Sequence, residues 1–490
     1  MGKFARPRHW LGRLAALFLL GIGATGAQAE PFAIVGVTLI DGTGAAPRPD
    51  MTVVVRDGRI KSVGKSREAP GDARIIDGTG KYLLPGFIDS NVHGTVYGNP
   101  KRRDTSVKYS ERGEELALEF AQRHLKAGVT TIRDSYGVLA PLLAVRDRIA
   151  RGETVGSRML VAGNIVGWGG PFSLTFSLTE ESDLSLFQEK WNDQVAQGVG
   201  EELVDMTPEE LRGAMRAYLD KGVDFIKYGG TSHTPRPSLI GFSPRAQRVI
   251  VEETHKRGKI AETHATTPEG LRLAVEAGID LIQHPELNSR DLPDDLIRLI
   301  VDKDVLCAIR SNMVTGDIRR RQIEERMAAE TGLANAPPAT TTAERNRRAD
   351  ALGESAEIQR RNAERLIKAG CRVTIATDNY LGDAPEFRRE VKPPEQEPGE
   401  GSLRAIEGLV ELGMTPLQAI TAATRNGAAA AGMADDLGTI APGKIADLLL
   451  LDADPSADIR NIRRLSLVIS RGEVVDTAAL PDRAIFGAAQ

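Results

Sequence analysis

The residues able to do chemistry in this sequence stand where apolar runs end. Leu-Leu-Pro-Gly-Phe-Ile-Asp-Ser-Asn-Val-His-Gly (83–94) breaks at Pro85-Gly86 and restarts as a buried strand at Phe87. It closes on Asp89, Asn91 and His93, which strand alternation puts on one face. Later runs end in the same way on Lys227 (Val-Asp-Phe-Ile-Lys), His264 (Ile-Ala-Glu-Thr-His), His284 (Asp-Leu-Ile-Gln-His) and Asp378 (Val-Thr-Ile-Ala-Thr-Asp). Singly, each has an ordinary structural reading: a hydrogen-bonded histidine, a snorkelling lysine, an aspartate in a turn. Collected on one rim, imidazoles and a carboxylate are the donor set of a divalent metal, zinc foremost, that leaves a position open for water. A metal-activated water and a carboxylate that takes its proton would make the site hydrolytic.

The elements that must position these residues follow a regular alternation. Strands are expected near 87–93, 129–133, 158–163, 223–228, 259–264, 279–284, 304–309 and 371–378, separated by amphipathic helices. Thr207-Pro208-Glu209-Glu210 and Thr415-Pro416-Leu417-Gln418 read as capping boxes with proline in the first turn. Ser243-Pro244 and Thr267-Pro268 start helices in the same way. Eight such units predict an α/β fold, a distorted (β/α)8 TIM barrel over residues 85–436, with active residues at the C-terminal strand ends. A doubly wound sheet is the rival, but no Gly-x-Gly-x-x-Gly follows a first strand. Residues 30–84 and 437–490 are instead short strands and tight turns, including a hairpin at Asp57-Gly58. Neither end could bury a core alone, so the two are expected to pair as a small β-sandwich.

Of 490 residues, 41% are hydrophobic and 27% charged, as in a chain with a large core. Residues 1–29 read as a signal peptide. Lys3, Arg6, Arg8 and Arg13 precede an apolar run over Leu14–Gly23, which is too short for the ~20 residues of a membrane span. Ala27-Gln28-Ala29 supplies the cleavage site, giving a periplasmic or secreted protein with no membrane attachment after cleavage. The mature chain would carry 59 basic and 67 acidic residues, a net charge of −8, with no basic stripe for nucleic acid. Cys307 and Cys371 fall in expected core strands. A bond between them is open, and a thiolate zinc site is excluded by the lack of Cys-x-x-Cys.

The motifs Leu-Leu-Pro-Gly-Phe-Ile-Asp, Asp-Phe-Ile-Lys, Thr-His-Ala, Ile-Gln-His and Ala-Thr-Asp resemble the amidohydrolase superfamily. So does the run from Gly413-Met-Thr-Pro through Pro442-Gly-Lys-Ile-Ala-Asp. The prolidase-like and imidazolonepropionase-like branch is the nearest in pattern. The resemblance covers nearly the whole mature chain and implies a β-sandwich plus barrel, hydrolysing a small molecule at an amide or other C–N bond. By it, Lys227 is the lysine carboxylated to bridge two metals, His264 and His284 hold the second metal, and His93 holds the first. Asp378 is both ligand and proton shuttle.

Two departures qualify the resemblance. Where the family has Asp-x-His-x-His, this chain has Asp89-Ser90-Asn91-Val92-His93. An amide oxygen is a weaker donor than imidazole, so one firm metal site is expected, with the other, including Asn91, weak or absent. A non-catalytic binding protein on a degenerate scaffold is the alternative. Where related sequences have Gly-Gly-His-Gly, this one has Gly169-Gly170-Pro171-Phe172 after Trp168. The segment to Asp205, with Phe176, Phe187 and Trp191, is either a loop on its own small core or an aromatic lid over an apolar pocket. Trp168, Tyr228 and His233 are the expected substrate contacts. The charged stretch Arg319–Arg361 reads as a solvated helical excursion, and 388–401 as a mobile loop near the site. The pattern is compatible with a homo-oligomer.

Overall fold

The computed structural model describes residues 30–65, 70–95, 110–177, 184–233, 238–288, 290–334, 337–380 and 394–481. The leader lies outside them, as does most of the loop after the last expected barrel strand.

Both chain ends meet in one eight-stranded sheet. β1 (Phe32–Leu39), β2 (Arg48–Arg56), β3 (Arg59–Gly64), β4 (Arg74–Asp77) and β5 (Tyr82–Pro85) come from the N-terminal part. β15 (Leu448–Leu451), β16 (Leu465–Ser470) and β17 (Glu473–Val474) come from the C-terminal part. The ends are joined where β15 runs antiparallel to β5, Leu448 opposite Pro85. Asp57 and Gly58, at φ 53° and 73°, make the tight hairpin their sequence demands. Phe32, Ile34, Val53, Leu83, Leu448 and Ile469 form the buried core of this sheet.

The middle of the chain forms two parallel sheets. One contains β6 (Phe87–His93), β7 (Val129–Asp134), β8 (Arg158–Val161) and the two-residue β14 (Asn379–Tyr380), which pairs with β6. The other contains β9 (Ile226–Gly229), β10 (Ala261–His264), β11 (Leu281–Gln283), β12 (Leu306–Ile309) and β13 (Arg372–Ile375). A parallel bridge from Val166 to Tyr228 and a 2.9 Å contact between the Ser90 and Thr374 hydroxyls tie the sheets to each other. Between them lies a buried polar layer, in which Arg133 and Glu262 form a fully buried ion pair at 2.7 Å. Gln283 donates to both Glu262 and the Ser90 carbonyl.

The helices start where their caps require. Thr207 and Thr415 form complete capping boxes with Glu210 and Gln418, and Ser243 and Thr267 cap the helices Pro244–His255 and Pro268–Ala277. The last of these ends on Gly278 at φ 92°, a left-handed stop that turns the chain into β11. The charged stretch between β12 and β13 is helical, over Gly316–Leu333, Thr342–Ala351 and Glu354–Lys368. Within 388–401, residues 394–401 are not the loose loop expected. Glu395 is buried and pairs with Arg321 and Arg404, while Glu397 accepts from Arg123. Cys307 and Cys371 are joined as a disulfide, with Cα atoms 6.3 Å apart.

Candidate metal centre and its cavity

Five of the expected donors reach one cavity of about 230 Å3: His93, Lys227, His264, His284 and Asp378. His93 and His264 are the last residues of β6 and β10. Lys227 lies within β9, His284 follows β11 by one residue, and Asp378 stands three residues beyond β13. His284 and Asp378 both adopt left-handed backbone, φ 39° and 58°. Such conformations cost of order 1–3 kcal/mol and persist only where neighbours over-determine them. Here His284 N donates to Ala308 O at 2.8 Å and Asp378 N to Asn91 O at 2.9 Å.

The donors are hydrogen-bonded in a connected set. Asp378 Oδ1 meets His93 Nε2 at 3.0 Å and accepts from Asn91 Nδ2 at 2.9 Å, while its Oδ2 accepts from Arg310 at 3.2 Å. His264 Nδ1 faces His284 Nε2 at 3.1 Å, and Lys227 Nζ donates to Ser135 Oγ at 3.0 Å. Burial pushes the pKa values of all three histidines down, those of His264 and His284 far down, and that of Lys227 down as well. Burial alone would raise Asp378. The His93 hydrogen bond and the charges of His284 and Arg310 outweigh it and hold the carboxylate well below its usual range.

The wall beside these donors is aromatic. Trp168 packs edge-on against Tyr136, Phe176, His233 and His264, and its Nε1 donates to Thr231 O at 3.1 Å. Phe176 stacks on His233 with centroids 4.3 Å apart. Trp191 also lines the cavity, whereas Phe172 is buried behind it and Phe187 is half exposed away from it. The segment after β8 therefore has its own small core and also forms the pocket wall.

Two expectations about which way side chains face are corrected. Tyr228 follows Lys227 on β9, so alternation sends it outward, where it packs on Phe242 and its hydroxyl donates to Gln247 at 2.9 Å. It is not a cavity residue. Asp89 does not share a face with His93, because the β6–β7 register is broken between Asp89 and Val92. It accepts instead from Ser402, Thr377 and the Asn91 backbone. Sequence reasoning missed Ser135, Tyr136 and Arg310. The polar run Thr-Thr-Ile-Arg-Asp-Ser-Tyr-Gly (130–137) closing the second strand was the available signal for the first two.

The Amidohydrolase family model matches residues 82–475, most of the chain. The chain belongs to that family. As a member it is a hydrolase acting on C–N bonds. The structure of phenylurea hydrolase B is similar, with a TM-score of 0.82 and 32% identity, covering 94% of this chain and 100% of that one. Molinate hydrolase gives 0.80 and 31%, over 94% and 98%. Ochratoxinase of Aspergillus niger is 25% identical over 436 residues, 86% of this chain and 81% of the relative. Imidazolonepropionases and prolidases also match, in agreement with the branch suggested by the motifs.

Amidohydrolases generally bind divalent metals. Among the described residues, no group of three or more His, Cys, Asp or Glu side chains is placed to hold an ion as the side chains stand. The histidines close instead on partners, His93 on Asp378 and His264 on His284. The donor chemistry nonetheless fits the family's metal. Burial favours the neutral form of the imidazoles, which is the form a metal takes, the Asp378 pKa is held well below its usual range, and His264 Nε2 is buried with no hydrogen-bond partner among the described residues. Asn91, the sixth expected donor, is placed differently: its amide oxygen accepts from Ser135.

Proposed function

We propose that this amidohydrolase is an exported, metal-dependent enzyme that hydrolyses the C–N bond of a neutral small molecule carrying an apolar or aromatic group. The observation that carries this reading is the pairing, in one cavity, of His93, Lys227, His264, His284 and Asp378 with a wall of Tyr136, Trp168, Phe176 and Trp191. Among the described residues the cavity lining holds one arginine, Arg310, and it is already bound to Asp378 and Glu286. A substrate carboxylate would have to displace one of them, which favours ureas, carbamates, thiocarbamates and anilides over dipeptides.

His264, His284 and Lys227 would hold one firm metal, and His93 with Asp378 a weaker one. A bound zinc would polarise the carbonyl and make water a nucleophile near neutral pH. Lys227, whose burial favours the neutral amine, would add CO2 with loss of a proton and so present a carboxylate. Asp378 would accept the proton of the attacking water and deliver it to the leaving nitrogen. Trp168 and Phe176 would exclude bulk water and orient the apolar group.

The two parallel sheets are read as arcs of one distorted barrel over 85–436, and the sheet of the chain ends as the accessory β-sandwich. Export is supported by the leader and by the Cys307–Cys371 disulfide, a bond that persists in oxidising compartments. Mature protein should begin at Glu30 by N-terminal sequencing. It should carry at least about one zinc-like metal per chain and hydrolyse members of a panel of phenylureas, thiocarbamates and anilides ahead of dipeptides. Metal-free folded protein with no turnover on that panel would refute the reading.

A further inference from the structure

A buried hydrogen-bond chain runs Lys227–Ser135–Asn91–Asp378 and joins two candidate metal donors through two uncharged side chains. We propose that Asn91 and Ser135 are positioning residues that aim Lys227 and Asp378 at the centre, and that Asn91 is not itself a metal donor. The inference rests on the metal centre proposed above.

The direction of the chain is set by which atoms carry protons. An ionised carboxylate only accepts, so Asn91 must turn its NH2 to Asp378 Oδ1, 2.9 Å away, and its oxygen the other way. That oxygen meets Ser135 Oγ, which already accepts from Lys227 Nζ at 3.0 Å and so gives its single proton to Asn91. Flipping the amide would set oxygen against carboxylate, so its orientation follows from the network. A carbamate on Nζ keeps one N–H, which suffices for the Ser135 contact.

Little slack is left around the chain. Asn91 and Ser135 are fully buried and Lys227 is 1% exposed. Asn91 also grips Asp378 through the backbone, its carbonyl accepting from Asp378 N at 2.9 Å, while its own N–H is held by Asp89 at 3.2 Å. One residue thus clamps Asp378 twice, at the position where its backbone is left-handed. An amide with both ends committed in a buried network is a support. For it to serve as a ligand, its oxygen would have to offer its second lone pair to the metal while Ser135 holds the first.

Zinc affinity of the purified mature protein, measured by chelator competition, separates the two roles because they predict opposite signs. If the Asn91 oxygen were a ligand, Asn91→Asp would offer a stronger donor and bind zinc more tightly. As a positioning residue it loses its N–H donor and repels Asp378, so affinity should fall by about 10–100-fold. Ser135→Ala should fall by a similar factor, and Ser135→Thr, which keeps the hydroxyl, should restore wild-type affinity. Loss of packing alone would not be repaired in that way. Tighter binding by Asn91→Asp, or unchanged binding by Ser135→Ala, overturns the relay and leaves the centre in place. A wild-type protein that binds no zinc overturns the centre and the relay with it.

Discussion

Replacing Arg310 by methionine should destabilise the protein in a pH-dependent way, and the pH dependence is the stronger test. Glu286 is fully buried, and its Oε1 accepts from both the backbone N–H and the Nε of Arg310, at 3.2 and 3.3 Å. Burial pushes the Glu286 carboxyl up, and Arg310 is the main group pulling it back. Removing one partner of a buried pair costs about 3–5 kcal/mol. The low end applies here, because Arg310 is 12% exposed and an abandoned Glu286 can take up a proton. A carboxyl with a raised folded pKa is at its most favourable below its unfolded pKa of about 4.3 and loses stability as pH rises toward the folded value. Arg310→Met extends that loss, so the deficit should approach ~3 kcal/mol at pH 8 and be clearly smaller at pH 5. Adding Glu286→Gln removes the stranded charge and should recover most of the deficit. Hydrolysis should stay impaired, because Asp378 has still lost its guanidinium partner. Urea denaturation of metal-free protein at both pH values, with kcat alongside, measures each quantity. Equal deficits at pH 5 and pH 8, or a double variant no more stable than the single, would refute the assignment of Glu286 as the charge that Arg310 neutralises.

The remaining predictions concern three other buried or cavity-lining residues. Asp378→Asn should leave the protein folded and lower kcat by about 10²–10⁴-fold, the usual worth of a positioned proton acceptor; steady-state kinetics against an anilide check it. Asp134 is buried with its pKa pushed up to about 8. Its stabilising contribution should be lost as pH rises from about 4 to about 8, by up to ~5 kcal/mol. The stability of Asp134→Asn relative to wild type should therefore climb across that window in the metal-free protein, as read from denaturation midpoints; a flat difference counts against a protonated Asp134. Trp168→Ala removes four ring contacts. At ~0.5–1.5 kcal/mol for an aromatic contact, KM for an aryl substrate should rise about tenfold, with kcat changed less.

How far the site could be read in the sequence depended on whether residue type or spatial contact carried the signal. His93, Lys227, His264, His284 and Asp378 were legible because each is a polar residue closing an apolar run. Strand direction then puts such ends together. The helix starts at Thr207 and Thr415 were legible for a local reason, since cap and partner lie three residues apart. Tyr228 lies next to Lys227 in sequence yet points away from the cavity, because alternation sends strand neighbours to opposite faces. Asp89 shows the converse: alternation from His93 does not carry across a break in the β6–β7 register that no local pattern marks.

Ser135 and Arg310 were illegible for a deeper reason. Serine and arginine occur throughout the chain, and these two matter only through partners far away in sequence. Ser135 meets Asn91 from 44 residues off, and Asn91 meets Asp378 from 287. Only the packing of the parallel sheets creates those contacts. The asparagine in the metal-binding motif reads, in sequence, as a weakened ligand, because there the comparison is with the histidine it replaces. In the folded chain the comparison is with its neighbours, one hydroxyl that can give a proton and one carboxylate that can only accept. An amide is the side chain that satisfies both at once, which an imidazole with a single N–H bound to a metal could not do. What looks like a lost donor at position 91 is thus consistent with a gained constraint on Asp378, the residue whose orientation the proposed hydrolysis depends on most.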